Sequence, residues 1–540
     1  MTFPSRFLLC GLIPLATLRT VQAQGPSAPV MLEVRPATAT VTLGEGQQFT
    51  ATMQNGGGSG VRWTVSAPSG SLLSPGTISE DGRYQTPFPA PPSVTVTATS
   101  VTDPAVHASA VVTLQAPAVS SGPLLRVDTG TPSHSISPLI YGMNAYSMSP
   151  DLQSTVHVPV DRWGGDGVTR WNWKEDILNA ANDWYFENDV NANTRYPDRS
   201  MFNTQFEHDR QFGSLTLATV PLIGWTTKRA AGCGFSVAKY GAQAEVDPHH
   251  PDCGKGMRPG GKPITGNDPA DTSMPIDQRW VGAWVKYLVG RYGAASTGGV
   301  KIYALDNEPE YWASTHRDVH PEPVTYDELT GKGIAYARAI KAADPSAEVS
   351  GPVISDFYGY FYSWKDVMSG WRTGACHCQA GNPVDRKAHG DVPLLAYYLQ
   401  KMNAASAADG RRLLDYLDLH TYFAPKGADL DAPAGDTAMQ AARLNATRVF
   451  WDPTYTDPRY RDPNVKSRMA PAVPLEIVPM MRRLVAANYP GTKTAITEYN
   501  WGGQESLNGA VAQADILGIF GREGLDMATL WGPPDPVKQR

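Results

Sequence analysis

Val300-Lys301-Ile302-Tyr303-Ala304-Leu305-Asp306-Asn307-Glu308-Pro309-Glu310 opens as a short apolar run and closes on an acid, an amide, an acid and a proline. A run of this length bounded by a turn signal reads as a buried strand over residues 300–306, and Pro309, with no N–H to give a ladder, stops it. Glu308 is left just past a strand end. A second run repeats the arrangement: a strand over 494–497 leads into Glu498-Tyr499-Asn500. Around these two lie further runs at 139–144, 160–164, 214–225, 347–354, 416–420 and 526–531, separated by amphipathic stretches such as 275–291, 326–343 and 474–488. Short apolar runs alternating with helical ones mark a β/α domain. Eight of them predict a (β/α)8 TIM barrel over residues 138–534, whose chemistry sits at the C-terminal ends of the strands.

Upstream the periodicity changes. Residues 27–116 alternate at period two between turn residues, as in Val61-Arg62-Trp63-Thr64-Val65 and Ser93-Val94-Thr95-Val96-Thr97-Ala98, which predicts an all-β sandwich of about seven strands. With Trp63 on a middle strand and no cysteines, this segment resembles the bacterial immunoglobulin-like modules attached to secreted polysaccharide-degrading enzymes; a spacer is the plainer role, carbohydrate binding the other. Residues 117–123 are rich in Ala, Pro and Ser and read as a linker. Residues 1–23 read as a signal peptide: Arg6, an apolar stretch over 7–18, then the small-residue cleavage site Val21-Gln22-Ala23. No segment approaches the ~18–20 apolar residues that spanning a bilayer needs. The expectation is a secreted chain, extracellular or periplasmic, without a membrane partner.

The formal charge of −6 comes with no Lys/Arg run, which argues against nucleic acid as a partner. There is no Gly-rich phosphate loop after a strand and no Gly-x-Ser-x-Gly elbow, so nucleotide chemistry and esterase action have no support. The two glutamates remain. Glycoside hydrolysis needs two carboxyl groups flanking the scissile bond, and strand ends four and seven of one barrel can supply them. Either residue alone reads more readily as a surface loop charge; the pair at matching strand ends carries the inference.

The motifs extend the reading. Ile140-Tyr141-Gly142-Met143-Asn144, Arg162-Trp163-Gly164-Gly165, Asp183-Trp184-Tyr185-Phe186-Glu187-Asn188, Asp306-Asn307-Glu308-Pro309, His320-Pro321-Glu322-Pro323-Val324-Thr325-Tyr326 and Thr497-Glu498-Tyr499-Asn500 together resemble glycoside hydrolase family 44, in that order, over residues 124–534. The resemblance implies a retaining endo-β-1,4-glucanase acting on cellulose-type glucan or xyloglucan, with mannan and xylan as further substrates. It makes Glu308 the acid/base and Glu498 the nucleophile, a pair expected about 5–5.5 Å apart. Asn307 then contacts the sugar 2-hydroxyl, Arg162 keeps Glu498 ionised and Tyr422 donates to Glu498, while His420 either joins the site or packs below it. No cofactor is required for catalysis. The partner is a β-1,4-linked polysaccharide and the expected state a monomer.

Trp225, Trp312, Trp501 and Trp531 lie at or past strand ends, where indole faces stack on pyranose rings; core packing is the competing role for each. Glu187, Asp247 and Asp252 fall in segments that in the resembled family lie near a bound calcium ion, although solvated loop carboxylates are the plainer reading. Without Cys10, which leaves with the signal, four cysteines allow three pairings, of which Cys233 with Cys253 is preferred. Cys376-His377-Cys378 lacks a fourth partner and makes a poor zinc site. Family members follow the eighth strand with a helix and a C-terminal β-sandwich to which residues 124–137 contribute a strand. Here residues 535–540 form only a proline-broken tail, so the barrel is expected to lack the last helix and the sandwich. The alternative function is accordingly a catalytically impaired carbohydrate-binding or adhesive protein.

Overall fold

The computed structural model describes residues 29–55, 60–87, 89–118, 134–144, 152, 155–190, 197–228, 231–355, 357–371, 383–423, 434–457 and 474–532. The readings made on residues 1–23, on most of the linker and of the 124–137 strand, on Cys376-His377-Cys378 and on the tail fall outside the described residues. The chain divides into two compact units, Met1–Pro132 and Ser133–Arg540.

The first unit is all β. Thr38–Thr42, His107–Gln115, Ser93–Ser100 and Val61–Ser66 form a four-stranded sheet in that order, Gly46–Gln48, Arg83–Gln85 and Thr77–Ile78 a three-stranded one, and Met31–Arg35 pairs with Thr50–Gln54. Along Ser93–Ser100 every second residue is buried, so Val94, Val96 and Ala98 meet Val34, Val41, Phe49, Tyr84, Ala110 and Val112 in one core. Two sequence readings need correction. There are nine strands among the described residues rather than about seven, because runs of two or three residues such as Thr77–Ile78 are too short for alternation to show. Trp63 lies on an edge strand, not a middle one, where it packs against Phe49.

The second unit is a closed barrel of eight parallel strands in sequential order: β1 (Gly142–Met143), β2 (Val160–Trp163), β3 (Leu215–Val220), β4 (Ile302–Leu305), β5 (Glu348–Ile354), β6 (Tyr416–Tyr422), β7 (Lys493–Asn500) and β8 (Met527–Leu530). Crossover helices lie between successive strands from β2 onward: α1 (Met201–Phe212), α2 (Gln278–Tyr292), α3 (Tyr326–Ala343), α4 (Leu394–Asp409), α5 (Ile477–Asn488) and α6 (Leu507–Glu523). Their starts are set by side-chain caps, Ser200 for α1, Asp277 for α2, Thr325 for α3 and Ser506 for α6. The strands are buried on both faces. Ile302 and Ala304 join Val160, Leu217, Val353, Tyr416, Ala495 and Met527 inside the barrel, while Tyr303 and Leu305 between them belong to the layer under the helices.

Several expected boundaries move. Residues 138–141, overlapping the start of the first run, form a 3-10 turn, leaving β1 two residues long. A Cβ on Gly142 would sit 2.3 Å from Val160 Cγ1 and 2.5 Å from the Ala528 carbonyl, so closing the barrel between β2 and β8 needs a glycine there. The third run splits, since Trp225–Thr227 leaves the barrel to pair with Ser273–Pro275. The seventh strand runs on to Asn500 and so contains Glu498.

Candidate active site

Past β4 the backbone turns left-handed at Asp306 (φ 72°) and again at Glu308 (φ 45°). Such a conformation costs a non-glycine residue on the order of 1–3 kcal/mol and here is held from both sides. The Asp306 carboxylate accepts N–H groups from Leu222 (2.6 Å), Ile223 (3.0 Å) and Asn307 (2.8 Å), and the Glu308 N–H donates to the Val353 carbonyl of β5 at 3.1 Å. Burial pushes the Asp306 carboxyl up to about 6, against the pull of these donors. Asn307 and Glu308 thereby both reach groups at the C-terminal end of the barrel.

β7 presents its glutamate by a different device. Leu419 of β6 faces Ile496 and His420 faces Glu498, so Thr497 is an extra residue, a β-bulge. Its N–H, left out of the ladder, donates to Asp418 Oδ1 at 3.2 Å, and its carbonyl accepts the Thr529 hydroxyl. The bulge breaks strict alternation, so the side chains of Thr497 and Glu498 both contact groups inside the barrel.

Arg162 of β2, fully buried, ties the two ends together. One guanidinium nitrogen donates to Glu498 Oε1 and, at 3.1 Å, to Asn144 Oδ1; the other donates to Asn307 Oδ1 at 2.7 Å. A Cβ on Gly164 would lie 2.4 Å from the guanidinium carbon, so this glycine is where Arg162 lies against bare backbone. Tyr422 donates to Glu498 Oε2. His420 Nδ1 lies 2.9 Å from Glu308 Oε1 and 3.5 Å from Glu498 Oε2. An oxygen of Glu308 and one of Glu498 are within 4.8 Å of each other. Burial works to raise the Glu498 carboxyl, yet the imidazole of His420, the guanidinium charge of Arg162 and the hydrogen bonds from Tyr422 and Arg162 together hold it below the ordinary glutamate range. Burial and the neighbouring glutamates push the Tyr422 phenol well up, keeping its proton available to Glu498.

Comparison with known proteins places this arrangement. The model of glycoside hydrolase family 44 matches residues 177–425. The crystal structure of CelM2, a bifunctional glucanase-xylanase protein from a metagenome library, superposes with a TM-score of 0.68 at 38% identity, over 74% of each chain. The chain belongs to glycoside hydrolase family 44. Beta-mannanase/endoglucanase A of Caldicellulosiruptor saccharolyticus is 32% identical over 76% of this chain, and endoglucanase A of Paenibacillus lautus 31% over 77%. The chain spans 30% and 56% of the lengths of these two curated relatives.

In this family 44 chain the two glutamates, Asn307, Arg162, Tyr422 and His420 converge, and His420 touches Glu308 rather than merely packing below. The tryptophans divide. Trp531 stays half-buried at the end of β8, its ring against Gly165, and Trp225 is half-buried on the excursion strand. Trp312 and Trp501 do not fit sugar stacking: Trp312 is fully buried beneath Lys332, and Trp501 is 3% exposed, packed on Phe450 and Phe423. Core and groove draw on the same residue type, so their neighbours alone separate them. Several site residues carry no role in the sequence reading. Asn144, quoted there only within a motif, braces Arg162. Asp166 accepts from Asn307 Nδ2 at 2.8 Å, and burial followed by the charges of Glu308, Asp183 and Glu498 pushes its carboxyl well up. Asp418 lies beneath the bulge. The motif Ile140 to Asn144 contains the first of them, and the motifs Arg162 to Gly165 and Thr497 to Asn500 point near the others.

The calcium expectation needs one correction. Glu187 and Asp247 do converge, but their third partner is His250, whose Nδ1 lies 2.8 Å from Glu187 Oε2 and 3.5 Å from Asp247 Oδ2. Asp252 instead accepts from the Ser236 hydroxyl and the Ala238 N–H (2.7 Å each) at the start of a short helix. Glu187 Oε1 is buried without a hydrogen-bond partner, and burial and Asp247 raise the Glu187 carboxyl. Two facing carboxylates with a free buried oxygen fit a cation, and the imidazole widens the choice beyond calcium. Cys233 and Cys253 are bonded, with Cα atoms 5.6 Å apart, closing the loop that carries Asp247 and His250. Trp184, the residue after Asp183, donates to Asp247 at 3.1 Å.

Proposed function

We propose that this chain is a retaining, endo-acting glycoside hydrolase that cleaves internal β-1,4 bonds of plant cell-wall glucans, cellulose-type glucan and xyloglucan, by double displacement. The observation that carries the reading is the approach of Glu308 and Glu498 to within 4.8 Å. Retaining enzymes hold their carboxyl groups about 5–5.5 Å apart, inverting ones about 6.5–9.5 Å to admit a water. Their surroundings divide the labour. Glu498 receives a guanidinium and a phenol hydrogen bond, which favours the anion that attacks the anomeric carbon. Glu308 faces an imidazole nitrogen, a partner with which it can exchange a proton, and so serves as acid for the leaving oxygen and then as base toward water. Asn307 spends one amide hydrogen on Asp166 and its oxygen on Arg162; the other hydrogen is left for the 2-hydroxyl of the sugar. Trp531 supplies the indole face at the mouth.

We also read the chain as exported, in keeping with a disulfide between Cys233 and Cys253, and as holding a structural cation between Glu187, Asp247 and His250 that takes no part in the chemistry. Release of reducing ends from a soluble β-1,4-glucan, with the anomer of the first product followed by NMR, tests the reading. Glu498→Ala should abolish hydrolysis. Glu308→Ala should keep turnover on aryl glycosides whose leaving group needs no proton. Equal residual activity in both variants, or an inverted product, overturns it.

A further inference from the structure

The hydrogen bonds beneath the two glutamates run in one direction. Asp418, His420 and Tyr422 occupy alternate positions on β6 and so share the inner face of the barrel. Asp418 Oδ2 faces the Ser350 hydroxyl at 2.7 Å, and Oδ1 faces both the Thr497 N–H at 3.2 Å and the Thr497 hydroxyl at 2.8 Å. The backbone N–H of the bulge can only donate, so Oδ1 must accept, and three donors converge on one carboxylate. The Thr497 hydroxyl hydrogen is then spent on Asp418, and its oxygen has only lone pairs to offer the next group, His420 Nε2, 3.1 Å away. Nε2 must therefore carry a hydrogen. All four side chains, Ser350, Asp418, Thr497 and His420, are fully buried, leaving them no exchange of partners with solvent. The other ring nitrogen, Nδ1, faces Glu308 at 2.9 Å.

We propose that Asp418 and Thr497 are positioning residues which lock His420 in its Nε2–H form, so that Nδ1 shares the proton of Glu308 and sets the pH up to which Glu308 acts as an acid. The proposal rests on the function assigned above. Without the lock the ring can turn its proton onto Nδ1 and donate to the Glu308 carboxylate; donation to the charged form favours it, and the acid is lost at lower pH. Other groups bear on Glu308 and His420: Asp166 and Asp183 from the segment after β2, Arg162 from β2, Tyr422 from β6 and Glu498 from β7. Each of these groups keeps its identity in the Thr497 and Asp418 variants, and the imidazole spectrum reads the tautomer separately from their electrostatic effect.

The experiment compares wild type, Thr497→Val, Thr497→Ser and Asp418→Asn of the full chain by two readouts. The first is the pH profile of kcat/KM on a soluble β-1,4-glucan. The second is the long-range 1H–15N correlation of the imidazole nitrogens, with the His420 signals identified by their loss in His420→Gln. Wild type and Thr497→Ser should show the Nε2–H pattern and the same alkaline limb. Thr497→Val should lose that pattern and move the alkaline limb down by about one pH unit, whereas Asp418→Asn, whose amide oxygen can still accept from the Thr497 N–H and hydroxyl while its NH2 donates to the Ser350 oxygen, should keep it. A Thr497→Val protein that keeps the Nε2–H pattern and the wild-type limb, with activity lowered evenly at every pH, overturns the lock and leaves Thr497 a packing role. If wild type releases no reducing ends, the assigned function fails, and the imidazole spectrum by itself still decides the lock.

Discussion

Replacing Gly164 with alanine tests how the site holds Arg162. The new Cβ would lie 2.4 Å from the guanidinium carbon and 2.7 Å from both Nε and Nη2. Ordinary contact begins near 3.4 Å, so the guanidinium must retreat by about 1 Å, and it is fully buried with no open side to retreat into. A retreat of that size takes the 2.7 Å bond to Asn307 Oδ1 beyond hydrogen-bond range, about 3.2 Å, and weakens the one to Glu498. Gly164 does not have a positive φ, so backbone strain does not confuse the result. Overpacking costs about 1–3 kcal/mol of stability, and a misplacement of about 1 Å in a positioning group costs on the order of 100-fold in rate. Kinetics on a soluble β-1,4-glucan with a parallel thermal melt should therefore show kcat/KM falling by roughly 100-fold while the fold survives. The acid limb of the pH profile should also rise, because Glu498 loses part of what holds its carboxyl down. A Gly164→Ala protein with wild-type kcat/KM and acid limb would refute the argument that Arg162 orders both glutamate ends.

Tyr422→Phe removes the phenol donor to Glu498 Oε2; a hydrogen bond to a charged group contributes about 1.5–3 kcal/mol, so kcat should fall by roughly 10- to 150-fold. The sign in pH follows from Glu498 being held low in the folded state. Its contribution to stability is present above about pH 4.3, the ordinary glutamate value, and is lost as pH falls through the folded value. Tyr422→Phe should narrow that window in pH-dependent melts. Opening the Cys233–Cys253 bridge by Cys233→Ser with Cys253→Ser, across a separation of 20 residues, should lower stability by about 3 kcal/mol in denaturant titration; an unchanged midpoint contradicts the clamp. If Glu187, Asp247 and His250 hold a cation, a chelator should lower the melting temperature of the wild type and leave that of Asp247→Asn unmoved; stabilisation of about 2.7 kcal/mol is expected with the ion at 100 times its Kd.

Some of this architecture is decided by residue order alone. The run from Val300 to Leu305 reads as a strand because its apolar residues cannot face water on either side, and Pro309 marks the turn beyond it, although the ladder already stops at Leu305. Eight such runs alternating with helical stretches leave little besides a barrel, and a carboxylate past the ends of the fourth and seventh runs names the chemistry. These are local properties, and the local sequence contains them. Other features are relations between strands distant in sequence. The bulge at Thr497 exists only against β6 and β8, since nothing in Thr494-Ala495-Ile496-Thr497 announces an extra residue. The need for glycine at 164 appears only with the Arg162 guanidinium laid across it. Trp312 and Trp531 look alike in sequence, yet one is sealed beneath Lys332 and the other stands at the mouth. Asp252 caps a turn while His250 takes its place beside Glu187, because capping depends on the nearest free N–H groups and clustering on what the disulfide loop folds against. The sequence determined which residues are able to do the work; tertiary structure decided which of them meet, because side-chain identity is carried along the chain while hydrogen bonds, burial and charge act across it.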